Sequence, residues 1–124
     1  LAQNYSLGSK TYDGLNMPAG GWGVHIDISD PTHYIIFADK NAPDGNRAYD
    51  AGEAVEIKTL PSGVIINSLS PVQGSALDII FYPPDPVTYI NGLNNTSAEI
   101  MLKENVNNST AVITVNSFGL IDTD

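Results

Sequence analysis

Apolar and polar residues alternate along most of this chain with a period of two. From Trp22 to Ser29, the residues Trp22, Val24, Ile26 and Ile28 alternate with Gly23, His25, Asp27 and Ser29, the pattern of a strand with one buried face. Asp30-Pro31 makes a turn. The next segment, HYIIFA, is β-branched and apolar on both faces, which predicts a central strand. AVEIKTL alternates again, with Val55 and Ile57 opposite Glu56 and Lys58. Pro61-Ser62-Gly63 turns the chain into VIINSL, and LDIIFY sets Leu77, Ile79 and Phe81 on one face. Pro83, Pro84 and Pro86 cannot donate to a ladder, so PPDP reads as an extended linker leading to a short edge strand, VTYIN. AEIMLKE places Ile100 and Leu102 opposite Glu99, Met101 and Lys103. After an NVNNS turn, TAVITVN points Ala111, Ile113 and Val115 inward. Ser117-Phe118-Gly119 turns into a last short strand, LIDTD. About eight closely spaced short strands predict a mainly β domain, a two-layer antiparallel β-sandwich-like fold.

Only the start of the chain departs from this period. Residues 1–10 hold about two helical turns that Gly8 ends, and residues 11–21 form a loop containing Gly14, Pro18, Gly20 and Gly21. The organisation is one domain over 1–124, with a short N-terminal helical remnant (1–10), a loop (11–21) and a β domain (22–124). At 124 residues the chain buries a core large enough to need no covalent staple. It has no cysteine, which removes disulfides, thiolate metal sites and cysteine nucleophiles together.

Five Lys and Arg stand against fourteen Asp and Glu, a formal charge of −9. That balance, with the basic residues scattered, disfavours nucleic acid and anionic lipid as partners. Charged residues make up 15% of the chain, against the usual quarter, so its polar surface rests on Asn, Ser, Thr and Gly. This composition suits an extracellular or periplasmic domain. No apolar run in the sequence is long enough to cross a bilayer.

One segment concentrates oxygen ligands. Between HYIIFA and AVEIKTL lie Asp39, Asn41, Asp44, Asn46, Asp50 and Glu53, with Gly45 and Gly52 as turn residues. A hard cation such as Ca2+ takes six to eight oxygens from carboxylates and carbonyls, and this loop is dense in both. Asp39 and Asn41 fit the opening of an EF-hand-type loop, but Pro43 displaces Asp44-Gly45 by one residue and Glu53 falls late. Two readings stand: a calcium site built from these six residues, or a solvated hairpin tip made of ordinary turn formers.

Other chemistry is sparse. His25 and His33 are the only histidines, and no Ser-His-Asp order or nucleophile elbow accompanies them. Asp27 and Asp30 lie near His25 in sequence without a nucleophile beside them. The expectation is a protein that is not an enzyme and has no catalytic residues. Tyr5, Tyr12, Trp22, Tyr34, Tyr49, Tyr82 and Tyr89 are either packing residues or the platform of a carbohydrate-binding or adhesin-type module.

As an ordered set, several segments resemble the globular half of a minor pseudopilin of the GspH/FimT type. GGWGVHID resembles the family's first strand, and YIIFADKN…YDAGEAVE its strand followed by D-x-N-x-x-G-x-x-D-x-G-E. LPSGVIINSL, LDIIFYPPDP and ITVNSFGLID resemble later hairpins in the same order. The resemblance implies a non-enzymatic subunit of a type IV pilus or type II secretion-like filament. Its partners would be other pilin or pseudopilin subunits, met through an N-terminal apolar helix of about twenty residues. LAQNYSLGSK would form the last turns of that helix. Such subunits are held in the inner membrane by the helix or incorporated in a filament at the cell surface or in the periplasm. The isolated domain is then expected to be monomeric. Some members bind DNA through basic residues near the C-terminus. TVNSFGLIDTD has no Lys or Arg, so that activity is not carried over.

Overall fold

A computed structural model describes residues 18–40, 45–70, 75–82, 87–93, 96–116 and 121–123. The structure is mainly β, with nine strands and no helix among the described residues. The expected helical remnant at 1–10, most of the loop at 11–21, the PPDP linker and the Ser117-Phe118-Gly119 turn lie outside the described residues.

The strands are β1 (Trp22–Asp27), β2 (His33–Ala38), β3 (Ala54–Thr59), β4 (Val64–Ser70), β5 (Ala76–Tyr82), β6 (Val87–Ile90), β7 (Ser97–Glu104), β8 (Ser109–Asn116) and β9 (Ile121–Thr123). They form two antiparallel sheets, one in the order β3-β2-β1-β5-β6 and the other β4-β7-β8-β9. Residues from both sheets share one apolar core: Trp22, Ile26, Ile36, Leu77, Ile79 and Phe81 from the first meet Ile66, Leu69, Ile100 and Val115 from the second. Gly63, at φ +85°, makes the turn that carries the chain from one sheet to the other; that left-handed conformation strains any residue with a Cβ.

Register explains which apolar residues reach the core. Trp22 faces Ala38 and Val24 faces Ile36 across β1–β2, while Trp22 faces Phe81 and Val24 faces Ile79 across β1–β5. These pairs lie on the inner face. In β4 a bulge between Ile66 and Ser68 shifts the pairing with β7. The extra residue, Asn67, lets both Ile66 and Leu69 point inward, three residues apart, where a regular strand would turn one of them out.

The middle of the five-stranded sheet is buried on its other face too. Gly23 sits opposite Phe37 and Ile80; Phe37 and Ile80 are both fully buried yet lie outside the inter-sheet core. This is why HYIIFA carries apolar residues on both faces. Gly23 makes the packing possible, since a Cβ there would lie 2.5 Å from Cζ of Phe37 and 2.9 Å from the Ile79 carbonyl oxygen.

The structure decides the side of β3, which the sequence pattern left open, and corrects one position in β8. In β3 the alternation is present, but its apolar side faces away from the core. Ile57 pairs with Ile35, whereas Glu56 pairs with Ile36 and Lys58 with Tyr34, so the charged pair shares the side of the core residues. Val55 and Ile57 are 40% and 66% exposed, because β3 is the sheet edge and nothing described covers its outer side. Ala111, opposite Leu102, is exposed: it is on the inner side of β8 but beyond the end of the core.

The crowding at Gly23 yields a prediction. Gly23→Ala forces a methyl group into the Phe37 ring and a backbone oxygen, and is expected to cost about 1–3 kcal/mol. Urea unfolding of the parent and variant checks it; equal stability would show that the Phe37 face has slack.

Candidate functional site

The acidic segment folds back as a cover over the outer face of the five-stranded sheet. Tyr49 lies against His25 with ring centroids 4.6 Å apart and meets Phe37 edge-on at 5.3 Å. The Arg47 guanidinium sits 4.2 Å above the centre of the Tyr89 ring. Tyr49 thereby covers β1 and β2, and Arg47 reaches β6.

A loop lying on a sheet has no ladder partners, and its buried N–H groups must be satisfied some other way. Three carboxylates supply the acceptors. Asp39 is fully buried; its Oδ1 accepts the Asn46 N–H at 3.2 Å and its Oδ2 the Arg47 N–H at 2.8 Å. Glu53, 5% exposed, accepts the Lys40 N–H at 2.8 Å on Oε2 and the Asp50 N–H at 2.9 Å on Oε1. Asp78, from β5, accepts the Tyr49 N–H at 3.0 Å. Local geometry sharpens the turn. Asn46 accepts the Ala48 N–H at 3.2 Å, an Asx turn, and its amide donates to Asp50. Gly45, at φ +83°, approaches so closely that a Cβ there would meet the Gly20 Cα at 2.5 Å. The Asp39 carboxylate is thus enclosed between two glycines. Its backbone is tied in turn, with Gly20 N–H to Asp39 O at 2.8 Å and Asp39 N–H to Gly21 O at 3.0 Å.

Of the six residues expected to ligate a cation, Asp39, Asn46, Asp50 and Glu53 come together in this loop, while Asn41 and Asp44 lie outside the described residues. No group of three or more His, Asp or Glu side chains is disposed to hold a metal ion among the described residues. The sequence did not point to Asp78. Its signal was an acid in the middle of the apolar strand LDIIFY, on the face of His25. Asp78 Oδ1 lies 2.5 Å from His25 Nδ1, and its N–H donates to Asn91 Oδ1 at 2.9 Å.

Among the described residues the histidines make these contacts. His25 pairs with Asp78 rather than with Asp27 or Asp30. His33 Nδ1 contacts both Asp30 Oδ1 and Thr32 Oγ1, each at 2.9 Å; acid and hydroxyl share one nitrogen, whereas a triad uses the two nitrogens separately. Ser29 and Ser75 donate their hydroxyls to Asp27. Those bonds, Ser75 first and then Ser29, hold the Asp27 carboxyl below its ordinary value. The aromatic platform also lacks its principal member: Trp22 is 1% exposed and belongs to the core. Between the sheets lies an apolar cavity of about 270 Å³, lined by Val24, Ile26, Tyr34, Leu60, Ile66 and Ile100 among others. Its walls offer almost no polar group with which to orient a ligand.

Comparison with protein-family models, with curated proteins and with solved structures gives no match for this chain.

Two predictions follow from the carboxylate clamp. Asp39→Ala leaves two loop N–H groups without acceptors and is expected to cost about 3 kcal/mol, roughly 10 °C in melting temperature. If the carboxylate works as an N–H acceptor, the loss is the same in millimolar calcium and in chelator. A loss confined to calcium would assign Asp39 to a cation instead. The second concerns Glu53, whose carboxyl is held above its ordinary value of 4.5, first by burial and then by the nearby Asp39 and Asp50 charges, against the opposing N–H bonds from Lys40 and Asp50. The folded state therefore binds this proton more tightly than the unfolded chain does. The Glu53 contribution to stability is fullest below pH 4.5 and declines as pH rises through the raised value. Urea unfolding between pH 4 and pH 7 is expected to show the parent's advantage over Glu53→Gln shrinking across that window; an advantage that grows with pH would reverse the sign.

Proposed function

We propose that this domain is the globular part of a minor pilin or pseudopilin, a non-enzymatic subunit of a type IV pilus or type II secretion-like filament. The observation that carries the reading is where the family-like segments fall. GGWGVHID runs into β1 at the centre of its sheet. The segment that resembles D-x-N-x-x-G-x-x-D-x-G-E, three residues longer here, spans the clamped loop, where Asp39, Asp50 and Glu53 supply or receive the bonds that hold it. LPSGVIINSL makes the crossing from one sheet to the other. The segments that resemble the family thus do structural work, as befits a subunit whose role is to be a stable block in an assembly. On this reading the partners are other pilin-like subunits, nucleic acid is not bound, and the membrane is met only through an N-terminal apolar helix. The protein works at the cell surface or in the periplasm, in a filament or awaiting assembly in the membrane.

The reading frame upstream of the Leu1 codon tests it. A short basic leader, a cleavage site and about twenty apolar residues running into Leu1 are expected, and a tagged full-length protein should co-sediment with sheared filaments. A secretion signal followed by an unrelated domain would overturn the proposal.

A further inference from the structure

We propose that the open edge of β3 pairs, antiparallel, with the β3 edge of a second copy of this chain, about a two-fold axis at Ile57. Among the described residues β3 has a strand neighbour, β2, on one side only. The four sheet edges are β3, β6, β4 and β9. β4 exposes Asn67, Ser68 and Ser70, β9 has three residues, and β6 has four and ends in the Ile90–Leu93 bridge. β3 differs in presenting two β-branched residues, Val55 and Ile57, to solvent. An uncovered edge of that kind is a template for another strand.

Hydrogen-bond phase is compatible with Ile57 as the centre. The Leu60 N–H donates to Thr32 O at 2.8 Å. In an antiparallel ladder, bonded and non-bonded pairs alternate. Tyr34–Lys58 and Ile36–Glu56 are then the bonded pairs, while Ile57 and Thr59 direct their N–H and C=O groups to the open edge. A copy related by a two-fold axis at Ile57 meets those groups with its own.

The side chains are self-complementary in this register. Ile57 lies against Ile57 of the copy and Val55 against Thr59. Glu56 lies against Lys58, twice by symmetry. Within one chain these two already approach to 4.0 Å, with side chains 34% and 41% exposed. A slip of two residues in one direction sets Lys58 against Lys58, and in the other Glu56 against Glu56. Like charges directly opposite destabilise a strand pair and opposite charges stabilise it. A slip of one residue mismatches the faces. Among these registers only the one centred on Ile57 pairs opposite charges throughout. The irregularity opposite Ile36 and Phe37 falls at Val55 and confines the regular ladder to about four residues, from Glu56 to Thr59, so the contact is small and the dimer weak. The net charge of −9 on each copy opposes association, and physiological salt screens that term beyond about 8 Å. None of this depends on the pilin reading, and it differs from the monomer that the sequence suggested for the isolated domain.

Sedimentation equilibrium in 150 mM salt tests the proposal. The parent is expected to dimerise at about 0.1–1 mM, as a small interface allows. Lys58→Glu alone and Glu56→Lys alone should each weaken the dimer about tenfold. An equimolar mixture of the two should restore it, since every charged pair is then opposite in sign. A second test uses the absence of native cysteine: Ile57→Cys should form a covalent dimer under mild oxidation much faster than Val55→Cys, whose copies lie apart. A parent that stays monomeric at 1 mM, a mixture that associates no better than its components, or equal cross-linking at the two positions would overturn the proposal.

Discussion

The structure depends on one arrangement: carboxylates used as acceptors for a loop that has no strand to bond. Asp39, Glu53 and Asp78 together take the N–H groups of Lys40, Asn46, Arg47, Tyr49 and Asp50. Without those acceptors, five partly buried backbone donors would lose the hydrogen bonds that hold the segment in place. Charge-assisted bonds are stronger than neutral ones, which suits a site where each acid is itself removed from water. Asp39 and Glu53 stand where the loop leaves β2 and where it enters β3, so the clamp closes both ends of the segment. Asp78 fixes its middle to β5.

That clamp allows the middle of the five-stranded sheet to be buried on both faces. One face meets the second sheet across the core. The other is covered by the loop, with Tyr49 on His25 and Phe37 and Arg47 over Tyr89. The cover does not extend to β3, whose Ile57 faces solvent beside Ile35. The same loop therefore determines both what is protected and what is left open. The protected part is a rigid block without an evident reactive group among the described residues. The open part is a strand edge with complementary charges. The two properties rest on different residues, so each can be tested without the other.

The sequence by itself determined the strands and much of the core. A period of two is a local property, and Trp22, Ile26, Leu77, Ile79 and Phe81 reach the interior as their alternation predicts. The double apolar character of HYIIFA correctly marked β2 as flanked on both sides, because no strand with Ile36 inward and Phe37 outward is stable unless both faces are covered. The acid-rich loop was legible as special through its density of oxygens. What those oxygens do was not. A carboxylate that ligates a cation and one that accepts two N–H bonds leave the same letters in the chain. Only the tertiary path, which brings Asn46 and Arg47 back over Asp39, places donors at those oxygens. Asp78 escaped notice for the same reason: its partners, His25 and Tyr49, are 53 and 29 residues away along the chain. In β3 the pattern was right and the side was left open, since alternation says that two faces differ but not which one meets the core. That is set by sheet order and register, and here they placed β3 at the edge, with Ile57 turned to water.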